Sequence, residues 1–297
     1  MTKSLWLDEA ALLPPQALPD RTEVAVLGGG IAGIATALHL ARAGVATTVL
    51  ERGVVAGRAS GRNDGQLLLG IGEHYHRVHG QFGAERAQQL WAFLRTNHDA
   101  VRHEIATLGI ECDLRTAGGL RLAATAHEWS ELEAAAALLA AEGVPHESIP
   151  AAELNRWLPP GRDFHGALHI VGEAVVQPVR LVRGLAVAAR AAGAHVVEHA
   201  EVTAYRGEAG EFELDLADGR RLAAQAVVHC TAALARELDP TQLLARTVFP
   251  FRGQIIASEP LPATVAGAFP AFAMSSNFGY EYFPMAYGRC VVGGQRW

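Results

Sequence analysis

Three glycines, Gly28, Gly30 and Gly33, stand as G-x-G-x-x-G within "VLGGGIAG". An acid, Glu51, follows roughly 20 residues on, the distance at which a dinucleotide-binding chain places its ribose contact. Each part has a physical task. Gly28 permits a tight turn, Gly30 lets a pyrophosphate approach the backbone, and Gly33 lets a helix lie close on a strand. Ile31 and Ala32 sit in the turn leading into that helix. The helix N-terminus offers free N–H groups and the positive end of its dipole to phosphates. The Glu51 carboxylate can accept hydrogen bonds from ribose hydroxyls, with Arg52 beside it, and it would repel a 2′-phosphate, which disfavours NADP. A second glycine-rich stretch, "AGRASGRNDGQ", follows at residues 56–66 and carries Arg58, Ala59, Ser60, Asn63, Gly65 and Gln66. By turn chemistry alone it reads equally as a surface turn or as a small cationic loop shaped for a phosphate.

The elements that must position these residues are legible around them. Val24 to Leu27 is a short apolar run of the kind buried on both faces of a parallel sheet. Ile34 to Ala43 reads as an Ala/Leu-rich helix that Gly44 ends. Ala46 to Leu50 is a second apolar strand. The whole run from residue 24 to 50 has the length of a membrane span. Its three consecutive glycines, His39 and Arg42 favour a buried strand, helix and strand instead.

Beyond the loop, residues 84–109 and 127–143 predict helices, with a strand pair between them in 111–125. A helix from Pro178 to Ala192 precedes strands at His195 to Glu198 and Glu201 to Arg206. A hairpin through "GEAG" leads to a last apolar piece, Ala226 to Cys230, that rejoins the first sheet.

Composition narrows the function class. The chain has 297 residues, 50% hydrophobic and 19% charged, with a formal net charge of -6. This is a soluble globular composition, and its acidic balance argues against nucleic-acid binding. Three scattered cysteines without C-x-x-C spacing argue against a disulfide framework or zinc site and fit a reducing cytoplasm. The N-terminus lacks signal-peptide features. His74, His76 and His79 cluster in "EHYHRVHG". On a strand, His74 and His76 would share a face, but with Glu73 alone beside them they make no recognisable metal set, and a polar entry to a helix is favoured. No Gly-x-Ser-x-Gly elbow supports hydrolase chemistry.

The order of these pieces resembles the FAD-dependent amine and amino-acid oxidoreductases, the D-amino-acid-oxidase-like (DAO) family, and within it the branch related to gamma-glutamylputrescine oxidase. The residues that carry the resemblance are "VLGGGIAGIATALHLARAG", "VLER", "ASGRNDGQ", "VVQPVRLVRGLAVAARAAGAHV" and "RTVFPFRGQIIASEPL". It implies an α/β fold, with a Rossmann-like FAD-binding domain interleaved with an α+β substrate domain built on an antiparallel sheet. The FAD domain would take residues 22–80 and 172–235, and the substrate domain 81–171 and 236–297.

The resemblance also implies noncovalent FAD, since "SGRN" holds no histidine for attachment. The second glycine-rich stretch would run along the pyrophosphate, with Arg58, Ala59, Ser60 and Asn63 as polar or close contacts. Gly65, Gln66 and Leu67 would lie toward the isoalloxazine, and Asp64 would face solvent or pair with Arg62. Val202, Cys230, Thr231 and Ala232 would pass the adenosine. Tyr280, Tyr282 and, more weakly, Gln295 are candidate substrate contacts.

The implied reaction is oxidation of a C–N bond in a small amine or amino acid by hydride transfer to flavin. Oxygen or another acceptor would reoxidise it, with no membrane or nucleic-acid partner and no metal. No catalytic side chain is singled out. Relatives continue beyond "GGQRW" with a segment that closes around the flavin, so the resemblance also implies a C-terminal truncation, weak FAD binding and poor turnover. The alternatives are a flavin-binding module without turnover and an NAD-linked dehydrogenase.

Overall fold

A computed structural model describes residues 4–70, 72–159, 163–239, 241–250 and 253–294. The chain divides into two compact units that alternate along the sequence. The first comprises residues 1–63, 108–112 and 177–251, and the second 64–107, 113–176 and 252–297.

The first unit is built on a six-stranded sheet. Its order is His195–Val197, Thr47–Leu50, Arg21–Leu27, Arg221–His229, Glu211–Leu216, Val202–Glu208. The first four strands run parallel, with Val26 opposite both Val49 and Val228. The apolar residues at the centre of the first three are buried on both faces, and Ala25, Val26 and Leu27 are essentially inaccessible. The last two strands continue the sheet antiparallel. Leu214, Leu216 and Leu222 bury one face of this extension together with Leu27 and Val202.

Two helices pack together on the parallel strands, Ile31–Arg42 and Pro178–Ala191. The first starts three residues earlier than its apolar pattern indicates. Gly33 lies inside its first turn, and Gly30 is the N-cap. Glycine is a poor helix former, so the pattern alone hides this start. The second starts as the sequence indicates, with Pro178 at its first position and Gln177 accepting from Arg180 N at 2.8 Å.

The second unit centres on a larger sheet. Its path is Gln254–Ala257, Arg289–Gly294, Glu281–Tyr282, Ala273–Ser276, Gly119–Leu122, Gly166–Ile170, His146–Pro150. All these pairings are antiparallel except that of Ala273–Ser276 with Gly119–Leu122. Helices Ala84–Thr107 and Ala126–Ala141 accompany it, Trp91, Leu132 and Leu139 packing with Leu168 and Ile170. Leu120, Leu122, Ile149 and Met274 form a separate apolar cluster.

The strand pair expected within 111–125 is one strand, Gly119–Leu122. It pairs with distant segments, and Arg115 makes only an isolated bridge to Val175. Two glycines at 118 and 119 open this strand, within the stretch expected to hold the pair.

The units also part at other positions than the expected domain boundaries. Residues 64–80 fall in the second unit because Leu69, Tyr75 and Val78 belong to the Trp91–Leu132 core. Residues 172–176 join it through the pairing of Ala174–Val175 with Gln66–Leu67. Residues 236–251 fall in the first unit, where Leu238 packs on the Leu214–Leu222 core. His74 precedes a helix, Tyr75–Phe82, so His74 and His76 are not strand neighbours. Among the described residues no group of His, Cys, Asp and Glu is arranged to hold a metal, and no helix is long and apolar enough to cross a membrane.

The second unit buries one charge completely. Glu173 is inaccessible and accepts from Leu69 N at 2.8 Å and from Arg121 Nη1 at 2.6 Å, with Arg121 Nη2 on its other oxygen. The paired carboxylate needs both partners, because an uncompensated buried charge is costly. Arg121→Leu should therefore lower stability by about 3–5 kcal/mol in urea unfolding, and Arg121→Lys, which keeps the charge but not the fork, should lose less.

Candidate functional site

The turn after the first strand is set by backbone clearance. Gly28 has φ +106°, and a Cβ there would lie 2.6 Å from the Cys230 carbonyl oxygen. A Cβ on Gly33 would lie 2.0 Å from the Gly28 carbonyl oxygen, so the helix can approach only with glycine. Around Gly30 the nearest atom is Ser60 Oγ, 3.0 Å from an ideal Cβ. Helix Ile31–Arg42 thus starts directly at the turn, where its first N–H groups lack intrahelical partners.

The following loop is fastened to this turn. Glu51 is buried, and its carboxylate accepts from Gly29 N and Gly53 N, each at 2.7 Å. Ala56 N donates to Gly29 O at 3.0 Å, and Ile31 N donates to Ser60 Oγ at 3.0 Å. Residues Ala59–Gly61 form a single 3-10 turn, in which Gly61 lies too close to the Ala56 carbonyl for any side chain. Asn63 Nδ2 donates to Ala59 O and Ser60 O at 3.1 and 3.0 Å, so its amide braces the turn. The glycines and small residues of 56–63 are therefore a packed second wall.

Between the walls lies a cleft of about 360 Å³, formed within the first unit. It brings together Gly28, Gly30, Ile31, Ala32, Glu51, Arg52, Arg58, Ala59, Ser60, Val202, Thr231 and Ala232 from the sequence-derived set. Gly33 acts behind the lining, by admitting the helix. Sequence reasoning missed the far end, where Ala200, Glu201, Leu234, Glu237 and Leu238 contribute. These residues follow strand ends in short turns, and no spacing rule marks them.

The cleft has unmet polar capacity. Thr231 Oγ1 is buried without a hydrogen-bond partner. Arg52 pairs loosely with Glu201 at 3.9 Å. Near the end of the Arg221–His229 strand, Tyr205 Oη and His229 Nε2 meet at 3.0 Å. Burial lowers the His229 pKa and, with Asp239 nearby, raises that of Tyr205. Burial likewise raises the pKa of the Cys230 thiol, which stays protonated and is a packing residue beside Gly33. The donor set fits an ADP-containing cofactor: turn amides and Arg58 for a diphosphate, and the Glu51 carboxylate for a ribose.

Gly65, Gln66, Leu67, Tyr280 and Tyr282 belong to the second unit, and Gln295 lies outside the described residues. Gly65 has φ +72°. Gln66 Nε2 donates to Asp64 Oδ2 at 2.9 Å and to Met274 O at 3.2 Å, while its Oε1 is buried without a partner. The Asp64 carboxylate thus serves Gln66. The Tyr282 ring lies on Gly293, where a Cβ would be 2.0 Å from it, and Tyr280 is 47% exposed.

A model of the DAO family, described as FAD dependent oxidoreductase, matches residues 23–297. Gamma-glutamylputrescine oxidoreductase of Escherichia coli is 30% identical over 245 residues, covering 82% of this chain and 56% of that protein. Glycine oxidase of Bacillus licheniformis is 28% identical over 244 residues, covering 80% and 61%. Among solved structures, glycine oxidase from Bacillus cereus superposes with a TM-score of 0.74 at 19% identity, over 93% of this chain and 71% of that one. The chain thus spans well under two thirds of the length of these two curated relatives.

Gly30→Val would fill the space between the turn and Ser60. Isothermal titration with ADP should show binding to the wild-type chain and none to this variant, with the fold retained by circular dichroism.

Proposed function

Because the chain belongs to the DAO family of FAD-dependent oxidoreductases, we propose that its first unit binds FAD noncovalently and that the protein oxidises a C–N bond of a small amine or amino acid. The observation that carries the cofactor reading is the cleft lined jointly by the G-x-G-x-x-G turn, Glu51 and the Arg58–Ser60 turn. Gly30 and Ala32 would present backbone amides to the diphosphate beside Ile31, whose own amide holds Ser60 in place, with the Arg58 guanidinium adding charge. Glu51 would accept from the ribose hydroxyls and reject a 2′-phosphate. Val202, Thr231 and Ala232 would border the adenosine, and the orphaned Thr231 hydroxyl would find a partner there.

Bound FAD would supply the hydride acceptor for the C–N carbon, leaving an imine for hydrolysis. This chain's contribution is to hold, orient and exclude water. Gly65, Gln66 and Leu67 are proposed to serve the flavin end, with Gln66 fixed by Asp64 and Met274 O. Tyr280, Tyr282 and Gln295 are proposed substrate contacts. The relatives supply the first compounds to try, gamma-glutamylputrescine and glycine, with sarcosine, the N-methyl derivative of glycine, beside them. Oxygen or another acceptor would complete the cycle, and three free cysteines fit a cytoplasmic setting.

Purified protein incubated with FAD and then desalted should retain flavin absorption bands, and anaerobic addition of an accepted amine should bleach them. Bands that no amine bleaches would reduce the reading to a flavin-binding module, and no bands at all would overturn it. Glu51→Ala should weaken FAD binding ten- to a hundredfold, the loss of about 1.5–3 kcal/mol expected for a charge-assisted hydrogen bond. Fluorescence titration of the apoprotein measures it, and equal affinity would refute the role of Glu51.

A further inference from the structure

The segment ahead of the first strand is tied down at both its sides, within the first unit. Ser4 and Trp6 flank the start of a single helical turn, Leu5–Asp8, and both are buried. The Ser4 hydroxyl donates to Gly61 O at 2.5 Å, and Trp6 Nε1 donates to Asn63 O at 2.7 Å. The segment's own carbonyls accept from one face of helix Pro178–Ala191 and its N-cap. Gln177 Nε2 donates to Trp6 O at 2.8 Å, and Arg180 Nε to Glu9 O at 3.1 Å. Arg183 Nη1 donates to Ala10 O and Ala11 O at 2.9 and 2.6 Å, and Arg190 Nη1 to Pro14 O at 2.7 Å. Gln16 Oε1 then accepts from Val196 N at 2.8 Å. Those helix positions recur at the spacing of one helical face.

Gly61 and Asn63 end the 3-10 turn whose preceding residues, Arg58, Ala59 and Ser60, line the cleft. The strap side chains satisfy both of their carbonyls. Ser60 reaches in turn to the Ile31 amide. A continuous line of hydrogen bonds therefore runs from the strap, through the turn, to the helix start where a diphosphate would sit. Glu51, at the ribose end, is held separately by Gly29 and Gly53.

We propose that residues 4–18 form a clamp for the cofactor loop, and that Ser4 and Trp6 are positioning residues for the diphosphate end of the dinucleotide. This inference rests on the reading of the cleft as an FAD site. A turn ordered before the ligand arrives spares binding the entropy of ordering it. The effect should therefore appear in affinity at the diphosphate end and in the exposure of the loop, with the adenosine end unaffected.

The test uses the full chain and the variants Ser4→Ala, Trp6→Phe and their combination. Phenylalanine keeps most of the buried ring and removes only the N–H donor. Each single variant should raise the FAD dissociation constant about three- to tenfold, as one lost hydrogen bond does. The adenosine constant should stay within about twofold, and Ser4→Thr, which retains a hydroxyl, should restore FAD affinity. Independently of any ligand, trypsin should cut the double variant faster after Arg58 and Arg62 than the wild type. Equal FAD affinity in the double variant, or equal losses for FAD and adenosine, would overturn the clamp, as would unchanged cleavage at both arginines. A wild-type chain that takes up no FAD would instead overturn the cofactor reading, and the proteolysis would still decide whether the clamp orders the loop.

Discussion

The 2.0 Å clearance between a would-be Gly33 Cβ and the Gly28 carbonyl oxygen governs the first unit. No other residue lets the helix start so close to the turn. The helix start determines where its uncovered amides point, and Gly28 itself is pressed against the Cys230 carbonyl by its left-handed backbone. The strands Arg21–Leu27 and Arg221–His229 and the helix are thus locked at one point by the absence of side chains. Once that point is fixed, Gly29 can donate to Glu51, Ala56 to Gly29 and Ile31 to Ser60. The cleft is what remains between the two fastened loops.

The second unit solves a different problem. It buries the Glu173 carboxylate with Arg121 among apolar side chains and relies on mutual satisfaction of charge, carbonyl and amide. Gln66 follows the same logic on a smaller scale, its amide shared between Asp64 and Met274 O. Polar groups there are fixed one against another, as a site that must keep its geometry requires.

Much of the first unit was legible because its determinants are local. Gly28, Gly30 and Gly33 announce the turn, Ala46 to Leu50 the second strand, and Glu51 its end. The helix start was less legible, because Gly33 breaks the apolar pattern at a place where packing overrides propensity. The pairing of Gly119–Leu122 with Ala273–Ser276 was not legible, since partners about 150 residues apart leave no local signature. The strap was not legible either. Its carbonyls do most of the bonding, and a backbone oxygen looks the same in every residue. The far end of the cleft, Leu234 to Leu238, depends on how the chain turns after Thr231, and only coordinates show that.

The central claim is that the cleft between the Gly28–Ile31 turn and the Arg58–Ser60 turn holds the ADP half of FAD. A crystal structure of the chain grown with FAD tests it most directly. The account predicts ribose hydroxyls within hydrogen-bond distance of the Glu51 carboxylate and diphosphate oxygens against the amides at the start of the Ile31–Arg42 helix. A flavin bound elsewhere, or an adenosine in the cleft with its ribose turned away from Glu51, would contradict it.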